Sequence, residues 1–338
     1  MKEKILYLEC YSGISGDMTV GALLDLGADA GHLREELKKL PVEGYELRFG
    51  RRKVRGIDAF DFDVILAEQE EHTHSHHHRT MKEIREILLG SELSETVKKT
   101  ALKIFTVLAE AEGKVHGKSP DEVAFHEVGA VDSIVDIVGT AVCLEDLGIQ
   151  KLFYSELYEG RGHARCQHGL MPVPVPAVLE LSAAQGLRLH LTETRGEMVT
   201  PTGAAILAAL GHREEDPLQG RKIVGIGIGA GKKEFPHANI LRALLLEEET
   251  GEPAETEDVW VLETNVDDST GEELGYCLEH LLRAGAKDAC CIPIGMKKSR
   301  PAFLLQAICD EEHREALENL IFRETTSIGF RRYRQARR

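Results

Sequence analysis

The chain has few aromatic residues, 5% with a single tryptophan, and none of its seven cysteines falls in Cys-x-x-Cys spacing. Cys10, Cys143, Cys166, Cys277, Cys290, Cys291 and Cys309 therefore give neither the usual structural zinc pattern nor a disulfide framework. They read as small buried side chains in a reducing compartment, with Cys10, between a strand and a glycine-rich turn, as the candidate reactive thiol. Long apolar runs are also missing. A membrane helix needs about eighteen apolar residues in succession, and even residues 134–147 are interrupted by Asp136 and Glu145. The first ten residues carry Lys2, Glu3, Lys4 and Glu9, so they lack the apolar centre of a secretory signal. Basic charge is scarce relative to acidic charge, 41 Lys and Arg against 57 Asp and Glu, for a net charge of −16. Such a surface repels phosphate backbones. These absences predict a cytoplasmic protein that contacts neither membrane nor nucleic acid.

Histidine is plentiful in one place. Five of the 15 histidines, His72, His74, His76, His77 and His78, lie within seven residues inside the chain. Neutral imidazole is a good ligand for nickel, copper and zinc. Glu68, Glu70 and Glu71 precede the cluster, Arg79 follows, and no residue from 68 to 80 is apolar. The composition predicts an exposed loop suited to metal capture, the alternative being a merely solvated polar loop.

The length suits two or three domains, and hydrophobic periodicity predicts a mixed α/β class. A buried strand at residues 5–10 leads through a glycine turn into a helix beginning near Thr19. Residues 46–53 and 58–66 read as paired strands, the second alternating Phe60, Phe62 and Val64 with acids. Helices are expected at 80–89, 94–116 and 128–147, with Ser119 and Asp121 as starts for a segment between, and at 177–185; strands are expected at 151–159 and 187–191. A strand ends near Leu246, and residues 251–258, rich in Glu, Pro and Thr, read as a linker between domains 1–250 and 259–338. Beyond it, strand, helix, two strands, helix and strand (259–266, 271–284, 289–294, 303–309, 311–322 and 328–333) give the βαββαβ order of a ferredoxin-like unit.

Several segments could carry chemistry. In the turn Ser12 to Asp17 two glycines permit a tight bend, and the amides of the following helix could face an anion or simply be capped by Ser15 or Asp17. Asp132 and Asp136 are four residues apart and share a helical face with apolar positions; His126 and Glu127 precede them. Acids directed at a core are costly unless paired or metal-bound, so this group reads either as a metal or acid/base site or as acids paired with Lys or Arg. His163 and His168 precede a Pro-x-Pro-x-Pro run and form with it a stiff approach to a helix, and Glu197 to Gly203 sets hydroxyls and a proline at another helix start. Gly225, Gly227, Gly229 and Gly231 fit neither the dinucleotide nor the Walker spacing and read better as a glycine-rich strand permitting close backbone approach. Asn265 to Asp268 at a strand end and Met296 to Pro301 between two strands combine carboxylates with Lys297, Lys298 and Arg300, a set that could hold a metal and phosphate oxygens or form an acidic turn and a basic hairpin.

Taken in order, Tyr11 to Met18, the histidine loop, His126 to Ser133, Met171 to Pro176, Glu197 to Gly203, Asn265 to Asp268 and Met296 to Lys298 resemble the LarC family of nickel-insertion proteins, over nearly the whole chain. The resemblance implies CTP-dependent insertion of nickel into pyridinium-3,5-bisthiocarboxylic acid mononucleotide, with manganese or magnesium required, by a cyclometallase that makes the nickel-pincer cofactor of lactate racemase and related enzymes. Carried onto this chain, that function makes Asp267, Asp268, Lys297, Lys298 and Arg300 the candidates for metal-CTP contact, and Asp17, His126, Glu127, Asp132 and Asp136 the candidates for the insertion centre, roles inferred from the residues themselves. The histidine loop, His72 to His78, becomes the nickel-collecting segment. Family members continue past the position of Arg338, so a shortened C-terminal domain is expected, together with a homo-oligomer and transfer of the product to a downstream enzyme. The competing reading is a nickel storage or delivery protein in which the histidine loop is the whole activity.

Overall fold

Alternate side chains of the first strand are buried on both sides: Leu6 and Leu8 face one way, Ile5 and Tyr7 the other, and all four are at most 6% exposed. A strand shielded on both faces belongs in the interior of a sheet. In the computed structural model, which describes residues 3–66, 79–123, 125, 131–166, 169–248 and 257–337, that is its place. The chain forms two compact units, Met1–Glu249 and Thr250–Arg338.

The first unit runs β1 (Lys4–Glu9), α1 (Gly16–Leu26), α2 (Ala30–Leu37), β2 (Tyr45–Val54), β3 (Ile57–Leu66), α3 (Met81–Gly90), α4 (Glu95–His116), α5 (Val131–Leu147) and β4 (Ile149–Tyr154). It continues with β5 (Leu157–Cys166), β6 (Gly169–Val173), α6 (Pro176–Gln185), β7 (Leu189–Arg195), α7 (Pro201–Leu210), β8 (Gly211–His212), β9 (Arg221–Ala230) and β10 (Ile240–Glu248). The main sheet has the order β2-β3-β9-β10-β1-β4-β8, and β6-β5-β7 form a smaller one. β1 is parallel to β4 and antiparallel to β10, with Leu6 opposite Leu245. Leu6, Leu8, Leu241 and Ala243 join the main core with helix residues such as Leu23, Phe105 and Val138, while Ile5, Tyr7, Leu244 and Leu246 form a separate cluster.

The alternating glycines lie in β9, and their reason is contact with α1. A Cβ on Gly229 would stand 2.0 Å from the Met18 carbonyl oxygen, and one on Gly227 2.1 Å from that of Ala22. The helix rests on bare backbone, which brings its first turn against β9 where Gly229 pairs with Phe60 of β3.

The second unit contains β11 (Glu257–Val266), α8 (Gly271–Arg283), β12 (Asp288–Met296), β13 (Arg300–Cys309), α9 (Glu311–Glu324) and β14 (Arg331–Arg337). The sheet order β12-β13-β11-β14, antiparallel throughout, is the ferredoxin-like arrangement. Leu262, Leu305, Cys277, Leu281, Leu317 and Ile321 fill the space between sheet and helices.

The mixed α/β class holds, with local corrections. The strand expected at 151–159 is two, β4 and β5, because the chain breaks at Ser155, whose hydroxyl accepts the Cys10 amide proton at 2.8 Å. α1 begins at Gly16 rather than near Thr19. Residues 117–123 make turns, not a helix. β11 starts at Glu257, inside the expected linker, because Glu257 and Asp258 pair with Arg337 and Ala336 of β14. The last strand begins at Arg331 rather than 328. No helix among the described residues is long and apolar enough to cross a membrane.

Candidate functional site

Three separate chain segments meet at the start of α1. The turn after β1 is tied to the segment before α7: the Ile14 amide donates to the Met198 carbonyl at 3.0 Å, and the Thr200 amide donates to the Ile14 carbonyl at 3.0 Å. Thr200 then caps α7, its hydroxyl accepting from the Gly203 amide at 3.2 Å. The third segment is α5, whose Asp132 and Asp136 stand one turn apart. Asp136 approaches so closely that a Cβ on Gly16 would lie 2.5 Å from its Oδ2. Only glycine at the first position of α1 allows this approach.

These segments, with β3 and the loop after β9, enclose a cavity of about 360 Å³ lined by Asp17, Asp63, Asp132, Asp136, Glu197 and Lys232, among others. Its charge is strongly acidic. Lys232, the cation of the set, is already committed to β3: its ammonium lies 2.5 Å from Asp61 Oδ1, 2.9 Å from the Phe62 carbonyl and 3.7 Å from Asp63. Asp17 accepts from the Met18 amide at 2.9 Å and from the Ser15 hydroxyl. Asp132 accepts from the Ser133 amide at 2.8 Å. Asp136 is partly accessible as a residue, yet its Oδ1 is sealed from solvent without a hydrogen-bond partner.

Burial raises the proton affinity of all three aspartates. For Asp17 the Ser15 hydroxyl and Lys232 oppose that shift. For Asp136 the shift is large, because the charges of Asp17 and Asp132 add to desolvation. A cation entering the cavity would relieve both causes. Among the described residues no three His, Cys, Asp or Glu side chains already stand in a metal-ligating arrangement. The cavity is thus a desolvated carboxylate pocket and not a closed coordination sphere.

Of the residues singled out in the sequence, Asp17, Asp132 and Asp136 come together here, and no lysine or arginine bonds Asp132 or Asp136 among the hydrogen bonds described above. His126, Glu127, His168 and the five loop histidines, His72 to His78, lie outside the described residues. Sequence reasoning missed Asp63 and Lys232. The signal was present: Asp61 and Asp63 form the polar face of a strand whose other face is Phe60, Phe62 and Val64, and Lys232 follows the glycine-rich strand. It also missed Glu159, which is fully buried, accepts from the amides of Gly160 and Met198 at 2.7 Å and of Val199 at 3.3 Å, and leaves Oε2 unpartnered. Burial pushes its carboxyl up to about 7 in spite of those three donors. Cys10 is corrected: it is wholly buried, which pushes its thiol well above the ordinary range and keeps it protonated, so it is not a reactive thiolate.

In the second unit, pairing of Val266 with Phe303 carries Asp267 alongside the β12 to β13 turn. Arg300 Nη1 lies 3.3 Å from Asp267 Oδ2, and Asp268 accepts from the Thr326 hydroxyl. Lys297 and Lys298 are exposed in the turn, with Lys298 at φ 62°. The grouping is an open, mixed-charge edge of hard oxygen and nitrogen donors.

The chain is thus a mixed α/β unit with a carboxylate cavity, followed by a ferredoxin-like unit with a mixed-charge edge. The sequence profile of the nickel insertion protein family matches residues 6–338, and the chain belongs to that family. It is 51% identical to the pyridinium-3,5-bisthiocarboxylic acid mononucleotide nickel insertion protein of Alkaliphilus metalliredigens, over 97% of this chain and 84% of that one. It is 42% identical to the protein of the same name from Acetivibrio thermocellus, over 97% and 81%. A solved structure, the apo C-terminal domain of a cyclometallase involved in synthesis of the NPN cofactor of lactate racemase, shares 43% identity over 25% of this chain and 58% of its own, with a TM-score of 0.24.

Proposed function

We propose that the chain inserts nickel into pyridinium-3,5-bisthiocarboxylic acid mononucleotide, the substrate named for its relatives, and that the acidic cavity is where the metal and the ring meet. The observation that carries this reading is the convergence of Asp17, Asp132 and Asp136 on one cavity, with Asp136 Oδ1 buried and unpartnered. The two thiocarboxylate sulfurs donate lone pairs to nickel. The ring C–H bond between them breaks heterolytically, its electron pair becoming the nickel–carbon bond and its proton passing to a base. Asp136 suits that role, since desolvation and two neighbouring carboxylates raise its proton affinity. His126 and Glu127, which precede α5 in sequence, and the histidine loop, His72 to His78, remain part of the proposal as nickel-contacting and nickel-collecting groups.

The second unit is proposed to bind CTP with magnesium or manganese. Asp267 and Asp268 offer oxygen donors fit for a hard divalent ion, and Lys297, Lys298 and Arg300 complement phosphate oxygens. Such an ion neutralises triphosphate charge. The storage-protein reading is not favoured, because the named relatives are insertion proteins.

The test combines purified protein, nickel, metal-CTP and the thiolated mononucleotide, with the metallated product read by mass spectrometry. Product is expected with the wild type and only when CTP is present. Asp136→Asn should reduce turnover by about a hundredfold or more, the scale of a lost general base. Absence of product with the wild type would sink the insertion reading, and wild-type turnover by the variant would remove Asp136 from it.

A further inference from the structure

Beside the acidic cavity lies a second one of opposite charge. Its volume is about 240 Å³, and its lining includes Arg52, Lys53, Arg55, Lys233 and His237, with Glu234 as the carboxylate among them. In a chain of net charge −16 such a concentration of cations needs a reason.

The cavity is built by two converging backbones. One is the β2 to β3 turn, where Arg55 at φ 48° and Gly56 at φ 87° make a two-residue hairpin. Left-handed backbone is uncommon for a side chain as bulky as arginine. Arg55 bends back to donate to the Phe235 carbonyl from Nε at 3.1 Å and Nη2 at 2.7 Å. The other backbone is the 231–239 loop, held by Arg52 on the Gly231 carbonyl at 2.7 Å and by Asn239 on the Lys233 carbonyl at 2.9 Å. His237 stacks on Phe235 at 5.5 Å, and its Nε2 is sealed from solvent without a partner. Burial and the Arg55 charge lower its proton affinity. In the neutral Nε2–H tautomer this nitrogen is a buried donor without an acceptor, which an anionic oxygen would satisfy.

The two cavities are linked through consecutive lysines. Lys232 lines the first and Lys233 the second, and Lys233 bonds Glu197 of the first cavity at 2.7 Å. Ser12, in the turn that delivers Asp17, donates to the Ala238 carbonyl at 2.8 Å. A ligand that is cationic or metal-seeking at one end and doubly anionic at the other matches this pair of fields. We propose that the basic cavity is a phosphate-monoester subsite, which holds the 5′-phosphate of a pyridinium mononucleotide while its ring faces the acidic cavity. The assignment rests on the substrate reading above and adds which residues hold the end remote from the chemistry.

The test is calorimetric titration of the full chain, without nickel, with pyridinium-3-carboxylic acid mononucleotide, its 5′-dephosphorylated riboside and inorganic phosphate, for the wild type, Lys53→Glu and His237→Phe. Lys53 is exposed, and phenylalanine keeps the stack on Phe235, so both variants should retain the fold, checked by circular dichroism. The mononucleotide should bind at least about tenfold more tightly than the riboside, and each variant should remove about tenfold of that preference, the scale of one charge-assisted hydrogen bond. Inorganic phosphate should compete with the mononucleotide, since the phosphate group is what the subsite recognises. Equal affinity for mononucleotide and riboside, no measurable mononucleotide binding, no competition by phosphate, or equal weakening of both ligands by the variants would each overturn the subsite. The binding assay contains no turnover, so it stands even if nickel insertion fails. Conversely, insertion with an unchanged KM for the thiolated mononucleotide in both variants would remove the subsite and leave the insertion reading intact.

Discussion

Glu159 is the side chain whose chemistry is least expected from its position. It holds the amides of Gly160, Met198 and Val199, and so fixes the segment that delivers Glu197 and Thr200 to the acidic cavity. Its ordinary value of 4.5 is pushed to about 7 by burial. A carboxyl raised on folding contributes stability that is complete below its unfolded value and lost as pH rises through its folded value. The window is therefore about pH 4.5 to 7, and the shift corresponds to about 3 kcal/mol at most. Glu159→Gln, which keeps the acceptor oxygen and never ionises, should flatten that part of the stability profile. Urea unfolding at pH 5 and pH 8 checks it: the gap between the two should shrink in the variant, and an unchanged gap would assign the pH dependence elsewhere. Nothing in the sequence near Glu159 marks it, because the three amides it accepts from come from its own neighbour and from a segment about forty residues away. Asp132 and Asp136 were legible for the opposite reason. Their spacing of four places both on one helical face whatever the tertiary fold.

Elements, too, were legible where the cause is local. Paired strands β2 and β3 and the βαββαβ order follow from alternation and element order read in sequence, whereas the helix start offered at Ser119 and Asp121 proved to be turns. The break between β4 and β5 was not legible, because Ser155 there answers an amide of Cys10, far away in the chain. The glycine-rich strand sits between these cases. Its composition predicts close backbone approach, but the partner, α1, emerges only in three dimensions. Gly229→Ala places a methyl 2.0 Å from the Met18 carbonyl, so α1 must lift from β9, at a cost of about 3 kcal/mol or more. Gly50→Ala, in β2 of the same sheet, meets nothing within 4 Å and should stabilise by up to about 1 kcal/mol through the lower entropy of the unfolded chain. Denaturant midpoints of the two variants should move in opposite directions. Equal shifts would mean that the α1 to β9 seam is not tightly packed.

At the scale of the whole molecule, two units carry two kinds of donor set. The first gathers desolvated carboxylates around a cavity; the second presents Asp267, Asp268, Lys297, Lys298 and Arg300 at an open sheet edge. The division of labour proposed here makes metal and ring chemistry the task of the first and triphosphate binding that of the second. Substitutions in separate units with no shared partners should act independently. Replacing Lys297 and Lys298 together by Ala should raise KM for CTP by about tenfold or more, as two phosphate contacts are lost, while leaving nickel binding and the affinity for the mononucleotide at wild-type values. Both lysines are exposed, so the fold should survive the change. Steady-state kinetics with CTP varied, set beside equilibrium nickel titration of the same preparation, separates the outcomes. A rise in KM with intact nickel binding supports the division. Weakened nickel binding would mean that the lysine turn serves the metal site, and the assignment of triphosphate to the second unit would fall.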